Sequence, residues 1–317
     1  MNMRSSSKVR GEADKLSLIL ITPAHNEEKY IEKTIQSVVA QSQLPNKWVI
    51  VNDGSTDRTG EIVRKYLPGN EWIELVCMPE NRIRNFSAKA ICFNAGYERV
   101  EGLESDLIGN LDADVSFGKD VFEFLVGKFS SDPELGVAGF PFIEEGYNSI
   151  TDSFDGEKHV SGQFQIFRRE CLKQIGGYVS HKAGGIDWIA VTTARMKGWK
   201  THSFKERCFF HHRKLGTGGS NRIGAMFSYG MKDYYLGGHP LWQIFRVLYR
   251  TGKRPYFIGG VALLSGYLWA WMKRMPRPVS KDLVRFHRRE QMEKLKIILR
   301  NMVHMDMKDK FELGKKQ

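Results

Sequence analysis

Two common phosphate-binding signatures are missing from this 317-residue sequence. No G-x-G-x-x-G occupies a strand-to-helix turn, and no G-x-x-x-x-G-K-[ST] occurs anywhere. Dinucleotide-dependent redox chemistry and P-loop phosphoryl transfer therefore lose their main support. Cysteine is scarce as well. Cys77, Cys92, Cys171 and Cys208 are widely scattered and none has C-x-x-C spacing, which argues against a zinc site or a disulfide framework. They read as buried thiols in a reducing compartment. No internal repeat or low-complexity tract stands out. The first fifteen residues are polar, and the apolar run at 16–21 is too short for the hydrophobic region of a secretory leader. The expectation is that the catalytic part stays in the cytoplasm.

Net charge is absent from most of the chain. Residues 1–245 hold 30 Lys+Arg and 30 Asp+Glu, whereas 246–317 hold 18 against 6, so the whole excess of +12 sits on the tail. A tail that meets an anionic surface produces this distribution, and a basic catalytic cleft does not. A nucleic-acid-binding protein, which the high isoelectric point would suggest, is disfavoured because an apolar run interrupts the basic segment.

What is present is an alternation of strand and helix. Apolar runs at 16–22, 48–52, 73–78, 107–112 and 136–142 read as buried parallel strands. Helical segments fall between them at about 27–41, 56–66, 85–100 and 119–130. In the first, Ile31, Ile35, Val38 and Val39 share one face at helical spacing. Such units predict an α/β fold: an open, doubly wound, mostly parallel sheet with helices on both faces, binding ligands at the carboxyl ends of its strands. Residues 144–245 are mixed, with a strand-like 162–168, a helix-like 186–197 and a loop at 214–221. A disordered segment at 1–15, a catalytic domain at 16–245 and a helical tail at 246–317 are expected.

Polar residues follow the predicted strands. Strand one runs into Pro23-Ala24-His25-Asn26-Glu27, strand two into Asn52-Asp53-Gly54-Ser55-Thr56-Asp57, and strand four into Asp112-Ala113-Asp114. In extended chain, residues i and i+2 share a face, so Asp112 and Asp114 can address one site. Two carboxylates there suit Mg²⁺ or Mn²⁺ bridging to a diphosphate, and the bland alternative is acids decorating a helix start. Ser55 or Thr56 would cap a helix beginning near Asp57. A cap does not need Asp53, whose carboxylate can accept a uracil-like N–H or a ribose hydroxyl, and Glu27 could line the same pocket. His25 reads as a loop or packing residue. A nucleotidyltransferase is the alternative enzyme class, but residues 20–30 contain no glycine for its nucleotide loop.

In combination these motifs resemble the family-2 glycosyltransferases of the GT-A fold. The match runs from Pro23-Ala24-His25-Asn26-Glu27 through the Asp53 segment, Lys89 with Asn94-Ala95-Gly96, and Leu111-Asp112-Ala113-Asp114. It ends with Phe167-Arg168-Arg169-Glu170 and Ile175-Gly176-Gly177-Tyr178 on the acceptor side. The resemblance implies that Pro23, Ala24, Glu27, Asp53, Lys89 and Asp112 hold a nucleotide-sugar donor, UDP-sugar favoured. It implies that Asp114, with Asp112 and His211, faces Mg²⁺ or Mn²⁺. Asp187, in Gly185-Ile186-Asp187-Trp188, aligns with the family's general base, though the acid that usually precedes it is Ile186 here. Asp152, Asp155 and Glu157 are reserve candidates, and a helix cap is the bland role for Asp187. Lys214 and Arg222 could belong to a lid over the phosphates, and Arg82 and Arg84 have similar standing. The activity implied is inverting transfer of a hexosyl group to a lipid-linked or polysaccharide acceptor in cell-envelope glycan synthesis.

The tail adds a membrane expectation. Residues 255–272 carry no charge and lie between Lys253-Arg254 and Lys273-Arg274. As a helix they would extend about 27 Å, short of a hydrocarbon core of about 30 Å. Their aromatics suit an interface. After Pro276 and Pro278, residues 281–303 read as a basic helix. A re-entrant or in-plane helix is expected over a single true span, with both tail helices at the cytoplasmic face, against a soluble subdomain packed on the catalytic domain.

Overall fold

The computed structural model describes residues 16–79, 87–152, 156–179, 184–213, 222–252 and 256–313. The elements begin β1 (Leu18–Ala24), α1 (Ile31–Val39), β2 (Lys47–Asp53), α2 (Thr59–Lys65), β3 (Ile73–Met78), α3 (Ser87–Val100) and β4 (Leu107–Leu111). There follow β5 (Val115–Phe117), α4 (Val121–Ser131), β6 (Leu135–Gly139), β7 (Phe142–Glu144), β8 (Tyr147–Asn148), α5 (Ser149–Asp152), β9 (Phe164–Arg168) and α6 (Arg169–Ile175). Then come α7 (Ile186–Met196), β10 (Lys200–Ser203), β11 (Phe209–His211), α8 (Arg222–Tyr235), α9 (Pro240–Thr251), α10 (Ile258–Met272) and α11 (Lys281–Leu313). The chain divides into two compact units, one of residues 1–180 with 197–213, the other of 181–196 with 214–317. The compositional change at 246 lies inside α9, in the second unit.

The first unit is built on a seven-stranded sheet in the order β10-β6-β9-β4-β1-β2-β3. Its pairings are parallel except those of β9, which runs antiparallel between β4 and β6. Both faces are covered. Leu18, Leu20, Trp48 and Ile50 join the cluster formed with Ile35 and Val38 of α1 and Phe122 and Leu125 of α4. On the opposite face α3 lies so close to β1 and β2 that a Cβ on Gly96 would stand 2.6 Å from Ile21 Cγ2 and 3.0 Å from Val51 Cγ2. Only glycine permits that approach, which gives the Asn94-Ala95-Gly96 segment a packing reason.

One expected strand divides in two. The apolar run at 136–142 becomes β6 in the large sheet and β7 in a second, four-stranded sheet of order β5-β11-β7-β8. Pro141 stands at the break, where its missing N–H could not have continued the ladder. The expected cap at Ser55 or Thr56 is also corrected. Helix α2 begins only at Thr59, whose N–H donates to Asp57 Oδ1 at 3.0 Å. Two of the four thiols, Cys77 and Cys208, are exposed, while Cys92 and Cys171 are buried as expected.

The second unit is helical. Helices α8 and α10 meet at backbone distance, because a Cβ on Gly230 or on Gly266 would overlap the facing helix's carbonyls at 1.9 Å. Helix α11 is tied to α7 by Arg195–Glu290 at 2.8 Å and by His287 standing edge-on to Trp188. Burial, with Arg195, Arg246 and Arg288 around it, pushes His287 down to about 3. No helix among the described residues is long and apolar enough to cross a membrane.

Candidate active site

Two loops at the carboxyl edge of the large sheet are laced together by side chains. Asn26 adopts a left-handed conformation, φ 53°. Its N–H donates to Ser55 Oγ at 2.9 Å, and its side-chain oxygen accepts the Thr56 N–H at 2.9 Å. Glu27 N–H donates to Thr59 Oγ1 at 2.7 Å, and Glu28 N–H to Asp57 Oδ2 at 3.0 Å. These bonds lock the loop after β1, carrying Pro23, Ala24 and Glu27, onto the loop after β2, carrying Asp53. His25 belongs to the same lacing, its Nδ1 lying 2.6 Å from the Asp53 carbonyl. Asp53 is buried at the end of β2. Its carboxylate takes a hydrogen bond from Cys92, whose thiol is pushed up to about 12 by burial and by that charge.

The acids after β4 stand on the other side of β1. Strand order β4-β1-β2 places Asp53 about 10 Å across the sheet from Asp112, two strand spacings. Asp112 is held by Lys89, Nζ to Oδ1 at 2.5 Å, and Lys89 also donates to the Gly162 carbonyl at 2.8 Å. Asp114 is nearly inaccessible. The small sheet explains its surroundings. Strand β11 pairs with β5 directly after Asp114, bringing His211 Nε2 to 3.4 Å and Arg213 Nε to 3.5 Å from Asp114 Oδ2. Behind His211, its Nδ1 meets Glu144 Oε1 of β7 at 2.9 Å, a buried carboxylate that orients the ring. Arg213 reaches back to Glu27, Nη2 to Oε2 at 2.6 Å.

Charge is crowded here, and the shifts show it. Burial, then repulsion from Asp114, raises Glu27 to about 7 despite Arg213. The Arg213 contact has ion-pair distance, yet Oε2 lacks a partner in hydrogen-bond geometry. Burial also raises the Asp112 carboxyl, with Lys89 opposing and Asp114 adding to the rise. For His211 burial pulls downward, and the hydrogen bond and charge of Asp114, with help from Glu144, outweigh it, so the imidazole is raised.

Among the described residues no three metal-ligating side chains converge tightly enough to form a complete cation site. The donor set of Asp114 and His211 nonetheless suits a partial one. His211 Nε2 and Asp114 Oδ2 stand 3.4 Å apart, and Asp112 and Glu27 are the nearby carboxylates.

Other expected residues fall elsewhere. Asp187 lies in the second unit, in the first turn of α7, with the charge of Lys232 and the ring of Tyr235 within electrostatic reach. The helix starts at Ile186, so Asp187 is inside it and is not its cap. Glu157 is exposed and paired with Lys205 at 2.9 Å. Asp152 ends α5, while Asp155, Arg82, Arg84, Lys214 and the loop at 214–221 lie outside the described residues, as does the side chain of Arg222. The acceptor-side segment has folding duties: Arg168 donates to the carbonyls of Leu135, Phe129 and Asp132. Gly176, at φ 78°, ends α6. Glu144 and Arg213 were not anticipated as site residues. Arg213 adjoins the His211-His212 pair, which was a usable signal, whereas Glu144 lies on a three-residue strand with no motif around it.

Comparison with known proteins fits this layout. Residues 19–185 match the family described as Glycosyl transferase family 2. The chain belongs to that family. It is therefore a glycosyltransferase, related to polysaccharide synthases. It is 32% identical over 204 residues to a poly-beta-1,6-N-acetyl-D-glucosamine synthase of Staphylococcus aureus (strain COL), covering 58% of this chain and 45% of the relative. The Staphylococcus epidermidis synthase of that name is 26% identical over 269 residues, covering 78% and 61%. The chain thus spans about half the length of the curated relatives it matches. Among solved structures, S. aureus TarS 1-349 in complex with UDP superposes with a TM-score of 0.53 at 16% identity, covering 74% of this chain and 72% of that one. The mannosyltransferase PcManGT from Pyrobaculum calidifontis, in complex with GDP-Man and Mn2+, gives 0.53 at 18% identity, covering 92% and 84%. At such identities the likeness is one of fold.

Proposed function

We propose that this glycosyltransferase moves a sugar, with inversion, from a UDP-sugar to a hydroxyl of a lipid-linked or polysaccharide acceptor in cell-envelope glycan synthesis. The observation that carries this reading is the set of acids along one sheet edge. Buried Asp53 stands at the end of β2; after β4 stand half-buried Asp112, paired with Lys89, and buried Asp114, with His211 and Arg213 against it. In this reading Asp53 accepts from the nucleoside beside the loop after β1 that carries Pro23, Ala24 and Glu27, Ala24 being buried in the core beneath it. A nucleoside diphosphate extends across β1, so that its phosphates reach Lys89 and Arg213. Those two cations are now paired with Asp112 and Glu27, and they exchange these partners for phosphate oxygens when the donor enters. A Mg²⁺ or Mn²⁺ held by Asp114 and His211, with Asp112 beside it, would supply positive charge to the departing diphosphate.

Asp187 is the proposed base. The acceptor oxygen forms a bond to the anomeric carbon as the carbon–oxygen bond to the diphosphate breaks on the opposite face, and the hydroxyl proton passes to the Asp187 carboxylate. A single displacement of this kind inverts the anomeric configuration. Names and cargo of relatives support the donor class: the matched synthases make an N-acetyl-D-glucosamine polymer, and TarS structures hold UDP or UDP-GlcNAc.

The test is release of nucleoside diphosphate from a panel of UDP- and GDP-sugars, with Mn²⁺ or with chelator. UDP release from one UDP-sugar, abolished by chelator, is the expected result. Turnover that ignores chelator, or that prefers a GDP-sugar, would overturn the metal or the nucleotide assignment respectively.

A further inference from the structure

Helices α9 and α10 each bury one stripe and expose another. In α10, Gly259, Gly260, Leu263, Gly266 and Ala270 are buried, and Gly266 meets the Phe227 carbonyl of α8. The opposite stripe, at Ile258, Val261, Leu268 and Met272 with Ser265 among them, is exposed along the whole helix, Val261 at 60%. Helix α9 repeats the arrangement. Trp242 and Gln243 are buried, while Leu241, Ile244 and Leu248 are exposed, Leu248 at 65%. The two helices are neighbours, since Gly260 lies against Val247 and Thr251. A water-facing helix normally puts charge on its outer stripe, and here both outer stripes are apolar.

The composition around them identifies the occupant. From residue 234 to residue 281 the chain has eight Lys and Arg and no Asp or Glu. Arg246 is paired with Asp233, but a second copy docked on this surface would still set the exposed Lys273, Arg274, Arg277 and Lys281 of both copies, eight cations, against one another. An anionic surface removes that cost. Trp269, Trp271, Tyr256 and Phe257 are all exposed at the same helix, and Lys273 stands over the Trp269 ring at 5.0 Å. Aromatic rings with cations beside them are the pattern of a bilayer interface. Length decides the mode of contact: α10 has 15 residues, about 22 Å, too short for a hydrocarbon core of about 30 Å.

We infer that α9 and α10 form a platform that lies in the plane of an anionic lipid bilayer, their outer apolar stripes sunk into it and their cations against the headgroups. This contact is independent of the transferase chemistry.

The experiment is sedimentation of the full chain with vesicles of phosphatidylcholine alone or mixed with phosphatidylglycerol. Wild type should bind the mixed vesicles and lose that binding in high salt. Val261→Glu and Leu248→Glu, both at exposed positions, should each weaken binding by about tenfold or more while circular dichroism and the thermal midpoint stay unchanged. Lys273→Gln with Arg274→Gln should reduce binding to mixed vesicles and leave any binding to phosphatidylcholine alone as it was. The inference is overturned if wild type ignores both vesicles. It also fails if the folded Glu variants bind as wild type, or if wild type self-associates in solution and those variants dissociate it.

Discussion

Glu27 offers a way to weigh the charge crowding of the site without any substrate. Its carboxyl is raised from an ordinary 4.5 to about 7, chiefly by burial and by Asp114. A group whose folded value is raised favours the protonated fold. Below pH 4.5 the folded and unfolded chains both hold the proton and nothing is lost. Between 4.5 and 7 the unfolded chain ionises first, so stability falls as pH rises, and above 7 the whole penalty is present. A shift of this size corresponds to about 3 kcal/mol at pH 8.5 and about 1 kcal/mol at pH 5. Glu27→Gln removes the titration and keeps the shape. Its stabilising effect should therefore be about 2–3 kcal/mol larger at pH 8.5 than at pH 5. Hydrogen exchange of β1 and β2 peptides, followed by mass spectrometry, reports this locally. Variant and wild type are compared at each pH, so intrinsic exchange rates cancel. A protection gain equal at both pH values would refute the claim that burial beside Asp114 raises this carboxyl.

Four further outcomes follow. Asp187→Asn should lower turnover by at least about a hundredfold while UDP affinity stays within about twofold, since a base acts in the chemical step and not in donor binding; near-normal turnover would move the base elsewhere. Glu144→Gln should weaken Mn²⁺ binding by about tenfold or more, measured by titration calorimetry, because the buried carboxylate no longer orients His211. In wild type the same affinity should fall as pH drops, the raised imidazole holding its proton against the metal. Gly96→Ala should destabilise the first unit by about 1–3 kcal/mol in urea unfolding, its Cβ colliding with Ile21 and Val51; an unchanged midpoint would mean that α3 lies farther from the sheet.

The large sheet was readable from sequence because strands buried on both faces must be apolar throughout. The runs containing Ile19, Ile50 and Ile108 have no other economical reading. The loops after them were readable for a related reason: Asp53 and Asp112 end apolar runs, where a bland role asks for no acid. The small sheet was not readable. Strands β5, β7 and β11 have three residues each, too few for a period to show, and they alone bring His211 and Glu144 to Asp114. Likewise Asp57 and Asn26 share the turn bonds that sequence assigned to Ser55 and Thr56, because the partner loop arrives from thirty residues away. In the tail, the uncharged run 255–272 was evident, whereas the exposed face of α9 was hidden in a segment of mixed composition.

Calorimetric titration of UDP into the protein tests the nucleotide-and-cation site most directly, run with Mn²⁺, with chelator, and with Asp114→Asn. The expected result is binding in Mn²⁺ that weakens by about tenfold or more in chelator and in the variant alike. Equal affinity under all three conditions, or no binding of UDP under any, would contradict a diphosphate held through a cation at Asp114.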